Sequence, residues 1–244
     1  MTAVAHEPAQ TTAGPNTEGI TVVDLAQSSV RELNRTLHEA TATSTEWLVR
    51  NPAGKHNIAV GIDQDLTMTV EGHVGYFFAG MHKSADLTVT GNAGQGLAEN
   101  IMSGRIHVKG DASQAVAATG HGGLVVVDGN ASARCGISMK GVDIVVGGNV
   151  GHMSAFMAQA GRLVVCGDAG DSLGDSLYET RIYVKGTVAS LGSDCIEKPM
   201  RPEHLEELAE LLAAAGRDED PADFRRYGSG RTLYHFNAAN SSAY

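Results

Sequence analysis

The sequence predicts an all-β solenoid, a single-stranded parallel β-helix of about seven 19-residue coils with flanking α-helices. Three observations predict it. First, Gly72, Gly91, Gly110, Gly129, Gly148, Gly167 and Gly186 follow one another at a constant step of 19 residues. Second, valine stands two residues before each of them, at Val70, Val89, Val108, Val127, Val146, Val165 and Val184. A large apolar residue stands four before, from Met68 and Leu87 through Leu163 and Ile182. Apolar residues two apart read as a short strand with one buried face. Third, no stretch within a repeat can hold a helix with its own apolar stripe, so helical repeats are excluded. A register this strict over seven copies marks a solenoid whose repeats stack one upon the next. Coils about 4.8 Å apart make a rod on the order of 30 Å long.

The corners follow from the residues after each valine. A short polar side chain comes next to the glycine, as in Asn92, Asp111, Asn130, Asn149, Asp168 and Thr187, with His73 as the exception. Glycine adopts positive φ freely and Asn or Asp bonds its own backbone, so the pair reads as a tight turn. Five residues beyond the small apolar Val or Ala that follows lies a tiny residue: Ala79, Ala98, Ala117, Gly136, Ala155, Gly174 and Ser193. A thin interior that cannot take large side chains from every wall explains that slot.

Flanking segments complete the plan. Residues 1–18 are small and polar and are expected to be a disordered leader. Residues 19–65 read as an N-terminal cap. Ile20 to Leu25 is a strand, and Ser29-Val-Arg-Glu32 is a capping box opening a helix from Val30 to about Ala40. Trp47 to Val49 is extended, 51–57 is a turn-rich loop, and Ile58 to Ile62 is expected as a strand. The solenoid occupies 66–199. In 200–244, Pro202 opens an amphipathic helix closed by Gly216, with Leu205, Leu208, Leu211 and Leu212 along one side. The tail beyond it, rich in Arg and aromatic residues, reads as an extended arm lying on a partner or on its own solenoid.

Composition limits the function classes. A net charge of −10 argues against nucleic acid or an anionic membrane as partner. No apolar run is long enough to span a bilayer, and no basic-plus-apolar leader opens the chain. Cys135, Cys166 and Cys195 cannot all pair and suit neither a disulfide framework nor a thiolate metal site, so a reduced, cytoplasmic protein is expected.

A search for a catalytic set finds little. His73, His82, His107, His121 and His152 fall in different slots of the repeat, so they build no ligand ladder. Asp175 and Asp194 share a slot in neighbouring coils, as paired carboxylates for acid–base work would, but Asp171, Glu179 and Glu197 suggest a solvated acidic face. Asp86 with Arg105, Asp143 with Arg162, and Lys109 with Asp128 are spaced as surface ion pairs between coils. The glycine corners open strands rather than helices, which is not how phosphate cradles are built. No catalytic, cofactor-binding or metal-ligating residue is therefore assigned to this chain.

Several strings carry a resemblance. Val-Thr-Gly-Asn-Ala-Gly at 89–94 and Val-Gly-Gly-Asn-Val-Gly at 146–151 resemble the Gly-x-Gly-x-Gly β-helix that closes the large chain of glutamate synthase. The strings at 51–61, 76–81 and 226–236 are similar to the stand-alone small subunit of N-methylglutamate synthase. Ser113, Ser132 and Ala189 depart from the second glycine of the motif, at a slot that only needs to be small. The resemblance implies a right-handed winding and a non-catalytic scaffold subunit of a heteromeric transferase. It further implies two partner subunits, one like a glutamine amidotransferase and one an FMN-dependent synthase carrying FMN and an iron–sulfur cluster. The reaction implied takes methylamine and L-glutamate to N-methyl-L-glutamate and ammonia. The alternative from the residues alone is a self-assembling β-helix without enzymatic role, which would need uncapped ends. A free-standing β-helical acyltransferase would need six-residue strings, and a lyase stacked Asp or a basic groove; the slots show neither.

Overall fold

The computed structural model describes residues 19–39 and 45–231. Their strands form one eleven-stranded sheet, ordered β1-β2-β3-β4-β5-β6-β7-β8-β9-β11-β10. In chain order these are β1 (Ile20–Asp24), α1 (Val30–His38), β2 (Glu46–Arg50), β3 (Thr67–Val70), β4 (Asp86–Val89), β5 (Arg105–Val108) and β6 (Leu124–Val127). They continue with β7 (Lys140–Val146), β8 (Ala160–Val165), β9 (Arg181–Val184), β10 (Cys195–Lys198), α2 (Pro202–Ala214) and β11 (Arg225–Ser229). From β3 to β9 like residues pair with like: Val70 with Val89, Val108 with Val127, Val146 with Val165, and Val165 with Val184. These valines are fully buried, which is what a half-buried strand pattern demands. The predicted solenoid is the fold.

The ladder starts before the glycine-marked coils. β2 pairs in parallel with β3, Trp47 on Met68 and Val49 on Val70, and β1 pairs in parallel with β2. Helix α1 opens with Ser29 and Glu32 in a reciprocal capping box and buries Leu33 and Leu37 in the same core as the valines. The expected strand at Ile58 to Ile62 is not one. Asn57, Ala59 and Gly61 all have positive φ (59°, 61° and 70°), and the segment is a series of turns.

That turn series recurs in the coils above. Left-handed residues alternate at 77, 79 and 81, at 96, 98 and 100, at 115, 117 and 119, and on through 172, 174 and 176. This turn wall faces away from regular strand pairing. Its N–H groups bond the neighbouring coils instead, as when Ala79 N–H donates to Ile58 O and Phe77 N–H to Gln95 O. The tiny slot is thus set by backbone conformation as well as by space: a left-handed φ costs an L-residue about 1–2 kcal/mol, least for small ones.

The corners differ from expectation in mechanism. Of the seven corner glycines only Gly72 has a positive φ. The others are required by close approach, since a Cβ on Gly110, Gly129, Gly148, Gly167 or Gly186 would lie 2.1–2.5 Å from the corner side chain one coil below. Those side chains bond the next coil rather than their own. Asn92 Oδ1 accepts from Asp111 N–H, Asp111 Oδ1 from Asn130 N–H, and so on to Asp168 Oδ1 and Thr187 N–H. His73 fits the series because its Nδ1 accepts from Asn92 N–H at 2.9 Å.

At the far end the chain folds back. β11 inserts antiparallel between β9 and β10, so residues 225–229 of the arm lie on their own solenoid. Tyr234, His235 and Phe236 of the arm, and the leader 1–18, lie outside the described residues.

Candidate functional site

The sheet's outer face over β6 to β9 carries Val126, Val145, Val164 and Tyr183, all fully buried. They are buried because α2 lies across them with Leu208, Leu211 and Leu212, joined by Ala215 and Phe224. Each buried leucine contributes about 2 kcal/mol to holding the helix down. Pro202 is well placed at the first turn, where no N–H is needed, and Gly216 (φ +74°) ends the helix in open space. The helix's apolar side therefore docks on the solenoid.

Beside this helix runs a cleft of about 760 Å³, bounded by β7, β8 and β9, by α2 and by β11. Strand register sets its floor. Asp143 of β7 pairs with Arg162 of β8, Arg162 with Arg181 of β9, and Tyr183 with Arg226 of β11, which in turn faces Lys198 of β10. Residues opposite one another in adjacent strands share a face, and Arg181 and Tyr183 are two apart on β9, so two neighbouring rows, Asp143–Arg162–Arg181 and Tyr183–Arg226–Lys198, lie side by side on that face. Arg162 Nε donates to Asp143 Oδ1 at 2.7 Å. Glu207 reaches down from α2, accepting from Arg181 and from the Tyr183 hydroxyl at 2.6 Å, with Arg162 at 3.7 Å. Burial and the neighbouring Glu207 push the Tyr183 phenol well above its ordinary value. Arg231 binds Asp194 at 2.7 Å from Nε. Arg226 donates to the carbonyl of Pro199 at 3.1 Å, and burial with the nearby Arg181 and Arg201 lowers its affinity for its proton. Thr180 also lines the cleft, with a buried hydroxyl that has no partner among the described residues.

The residues singled out from the sequence fall as follows. His82 is fully buried with Nε2 3.0 Å from Ala85 O, and its Nδ1 has no partner among the described residues. His107 Nε2 lies 2.8 Å from Asp128 Oδ1, and His121 and His152 are exposed. Asp175 and Asp194 are not a working pair. Asp175 accepts from the Ser176 hydroxyl and Ser193 N–H, which holds its carboxyl below the usual range, while Asp194 is taken by Arg231. Asp143–Arg162 and Lys109–Asp128 are ion pairs as spaced. Asp86 and Arg105 pair in register but form no ion pair within 4 Å, because Arg105 turns to the carbonyl of Ala214 on α2 at 3.5 Å. Among the described residues no group of three or more His, Cys, Asp or Glu is placed to hold a metal ion, and no helix is long and apolar enough to cross a membrane.

The sequence pattern missed the cleft, because its floor is completed by β11, forty residues beyond β9 and outside the repeat. The one available signal was the Arg225-Arg226 pair in an otherwise acidic chain.

No family model matches the chain. Protein GlxC of Rhizobium meliloti (strain 1021) is 59% identical to it over 226 residues, spanning 91% of this chain and 99% of GlxC. The chain belongs to the GlxC family.

In this GlxC-family chain the repeat strands supply Asp143, Arg162 and Arg181 to the cleft, and the C-terminal flank adds Glu207, Arg226 and Arg231. Cys135, Cys166 and Cys195 are free thiols, pushed by burial up to about 12, about 12 and about 11, so none is poised as a nucleophile. The arrangement presents a turn wall with exposed apolar side chains and, meeting it at Tyr178, a cleft lined by five cationic side chains.

Proposed function

We propose that this chain is the scaffold subunit of a glutamate-synthase-like heteromeric enzyme of the N-methylglutamate synthase type. It holds an amidotransferase-like subunit and an FMN- and iron–sulfur-dependent synthase subunit in register, and the partners carry the chemistry. The Gly-x-Gly-x-Gly resemblance and the relationship to GlxC support the family side of this reading.

One observation carries the scaffold side. Of the eight large apolar side chains left exposed among the described residues, Tyr76, Phe77, Met81, Met102 and Met157 lie along the turn wall, Tyr178 continues the series where the wall meets the cleft, and Leu191 and Ile196 lie near the far end. Met81 and Met157 occupy one slot of the repeat four coils apart, and Met102 and Tyr178 another. A solenoid with a complete core gains nothing from exposing these groups, whereas a subunit interface does. At the far end the antiparallel pair β11 and β10 breaks the parallel register of the coils, which disfavours end-to-end continuation of the ladder by a second copy there.

Co-expression with an amidotransferase-like chain and an FMN-type synthase chain tests the reading. A co-eluting complex that forms N-methylglutamate from methylamine and glutamate, with no turnover by the isolated chain, is the expected result. Turnover by the isolated chain, or partners that assemble and turn over equally well without it, would overturn it.

A further inference from the structure

We infer that the cleft beside α2 is a carboxylate-binding site, with Arg226 and Lys198 as its seat. The observation is a repetition one strand apart. At β8 and β9, Arg162, Arg181 and the Tyr183 hydroxyl all converge on one carboxylate, Glu207 of α2. At β11 and β10, Arg226 and Lys198 stand directly opposite each other in the ladder, and neither has a carboxylate within 4 Å among the described residues. Like charges directly opposite destabilise a strand pair. The cost is compounded here because Arg226 is partly buried and lies near Arg181 and Arg201.

Of the five cationic side chains lining the cleft, Arg162, Arg181 and Arg231 are paired with Asp143, Glu207 and Asp194, which leaves Arg226 and Lys198 without a carboxylate partner among the described residues, in a chain whose net charge is −10. A local excess of positive charge against that background is a specific feature. A guanidinium fork binds a planar carboxylate through two parallel hydrogen bonds, and the lysine adds a point charge beside it. Asp143, Glu179 and Glu207 line the same cleft and disfavour a doubly charged head group such as phosphate. A volume of about 760 Å³ accommodates either a free small acid or an acidic side chain of a bound protein. The site stands on its own geometry and does not depend on the scaffold reading.

Calorimetric titration of the full chain with succinate, with an acetylated Glu-Glu dipeptide amide, and with inorganic phosphate tests it. Saturable binding of succinate identifies a free acid as the ligand class, and binding of the dipeptide alone identifies a protein side chain. Arg226→Gln and Lys198→Gln each weaken the bound probe by about tenfold or more, while Arg134→Gln, at an exposed position remote in sequence from the cleft, leaves it unchanged. Circular dichroism checks that each variant is folded. Absence of saturable binding by both carboxylate probes, tighter binding of phosphate, or unchanged affinity in both folded cleft variants would each overturn the inference.

Discussion

The side chain of Asn34 does for Ala59 what a whole coil does for Ala79. Asn34 Oδ1 accepts from Ala59 N–H at 2.8 Å, and its Nδ2 donates to Asn57 O at 2.7 Å. One coil further on, Ala79 N–H donates to Ile58 O and Tyr76 O accepts from Asn57 N–H. Helix α1 therefore ends the turn wall by copying its hydrogen bonds with one amide, while β1 ends the strand ladder by ordinary pairing.

Removing that amide leaves two backbone groups of the first coil unpaired, one of them on fully buried Ala59. Asn34→Ala is expected to cost about 1–3 kcal/mol, the penalty for an orphaned buried donor. Asn34→Asp keeps the acceptor and loses the donor, so it should cost less. Urea unfolding gives the ordering, and hydrogen exchange should show lost protection at residues 57–61 in Asn34→Ala. Equal stability of the wild type and Asn34→Ala would refute the capping role.

The corner ladder makes a second, sharper claim. A Cβ on Gly129 would sit 2.4 Å from Asp111 Oδ1. Gly129→Ala is therefore expected to cost about 1–3 kcal/mol through overpacking, although φ at this corner does not demand glycine. The clash is with a side chain, so Asp111→Ala should relieve part of it even while losing its bond to Asn130 N–H. A double-mutant cycle at these two positions should show a coupling of opposite sign to the single losses. Strict additivity would mean that the glycine is kept for another reason.

How far the sequence could be read divides along the same line. Period-2 valines before a constant glycine are legible because burial and pairing act on side-chain type, and β3 to β9 appear where they put them. The turn wall was not legible. Phe77, Arg134 and Met153 hold left-handed φ of 58°, 59° and 55°, and nothing about those side chains announces it. Stacking against neighbouring coils imposes that conformation, which is why Ile58 to Ile62, apolar and β-branched, reads as a strand and folds as turns. The cleft was hidden for a different reason. Its floor needs Arg226 to lie between Tyr183 and Lys198, and an antiparallel insertion from outside the repeat leaves no periodic trace.

Burial of the three thiols predicts an inert native protein. With their acidities weakened to about 12, about 12 and about 11, almost no thiolate exists at pH 8. Ellman's reagent should report slow reaction of the folded chain and three equivalents in guanidinium chloride. A rapid native equivalent would show that Cys166, the least buried of them, is reachable and activated.

His82 predicts the pH dependence of stability. Burial lowers its affinity for a proton, and the Ala85 carbonyl and Asp86 only partly offset that. With Nε2–H donating to Ala85 O, Nδ1 is the bare acceptor, and protonating it places an unpaired charge in a fully buried site. The unfolded histidine titrates near 6.5. Because the folded value lies below that, the unfolded state binds more protons beneath about pH 6.5. Stability is then complete above that pH and falls as pH drops towards the folded value, by up to about 1.4 kcal/mol per pH unit. His204 shifts in the same direction, also chiefly through burial, and adds to the loss. His82→Gln retains a donor for Ala85 O and cannot titrate. Urea midpoints at pH 7.5 and 5.5 should therefore fall less in His82→Gln than in the wild type, and equal falls would place the pH sensitivity elsewhere.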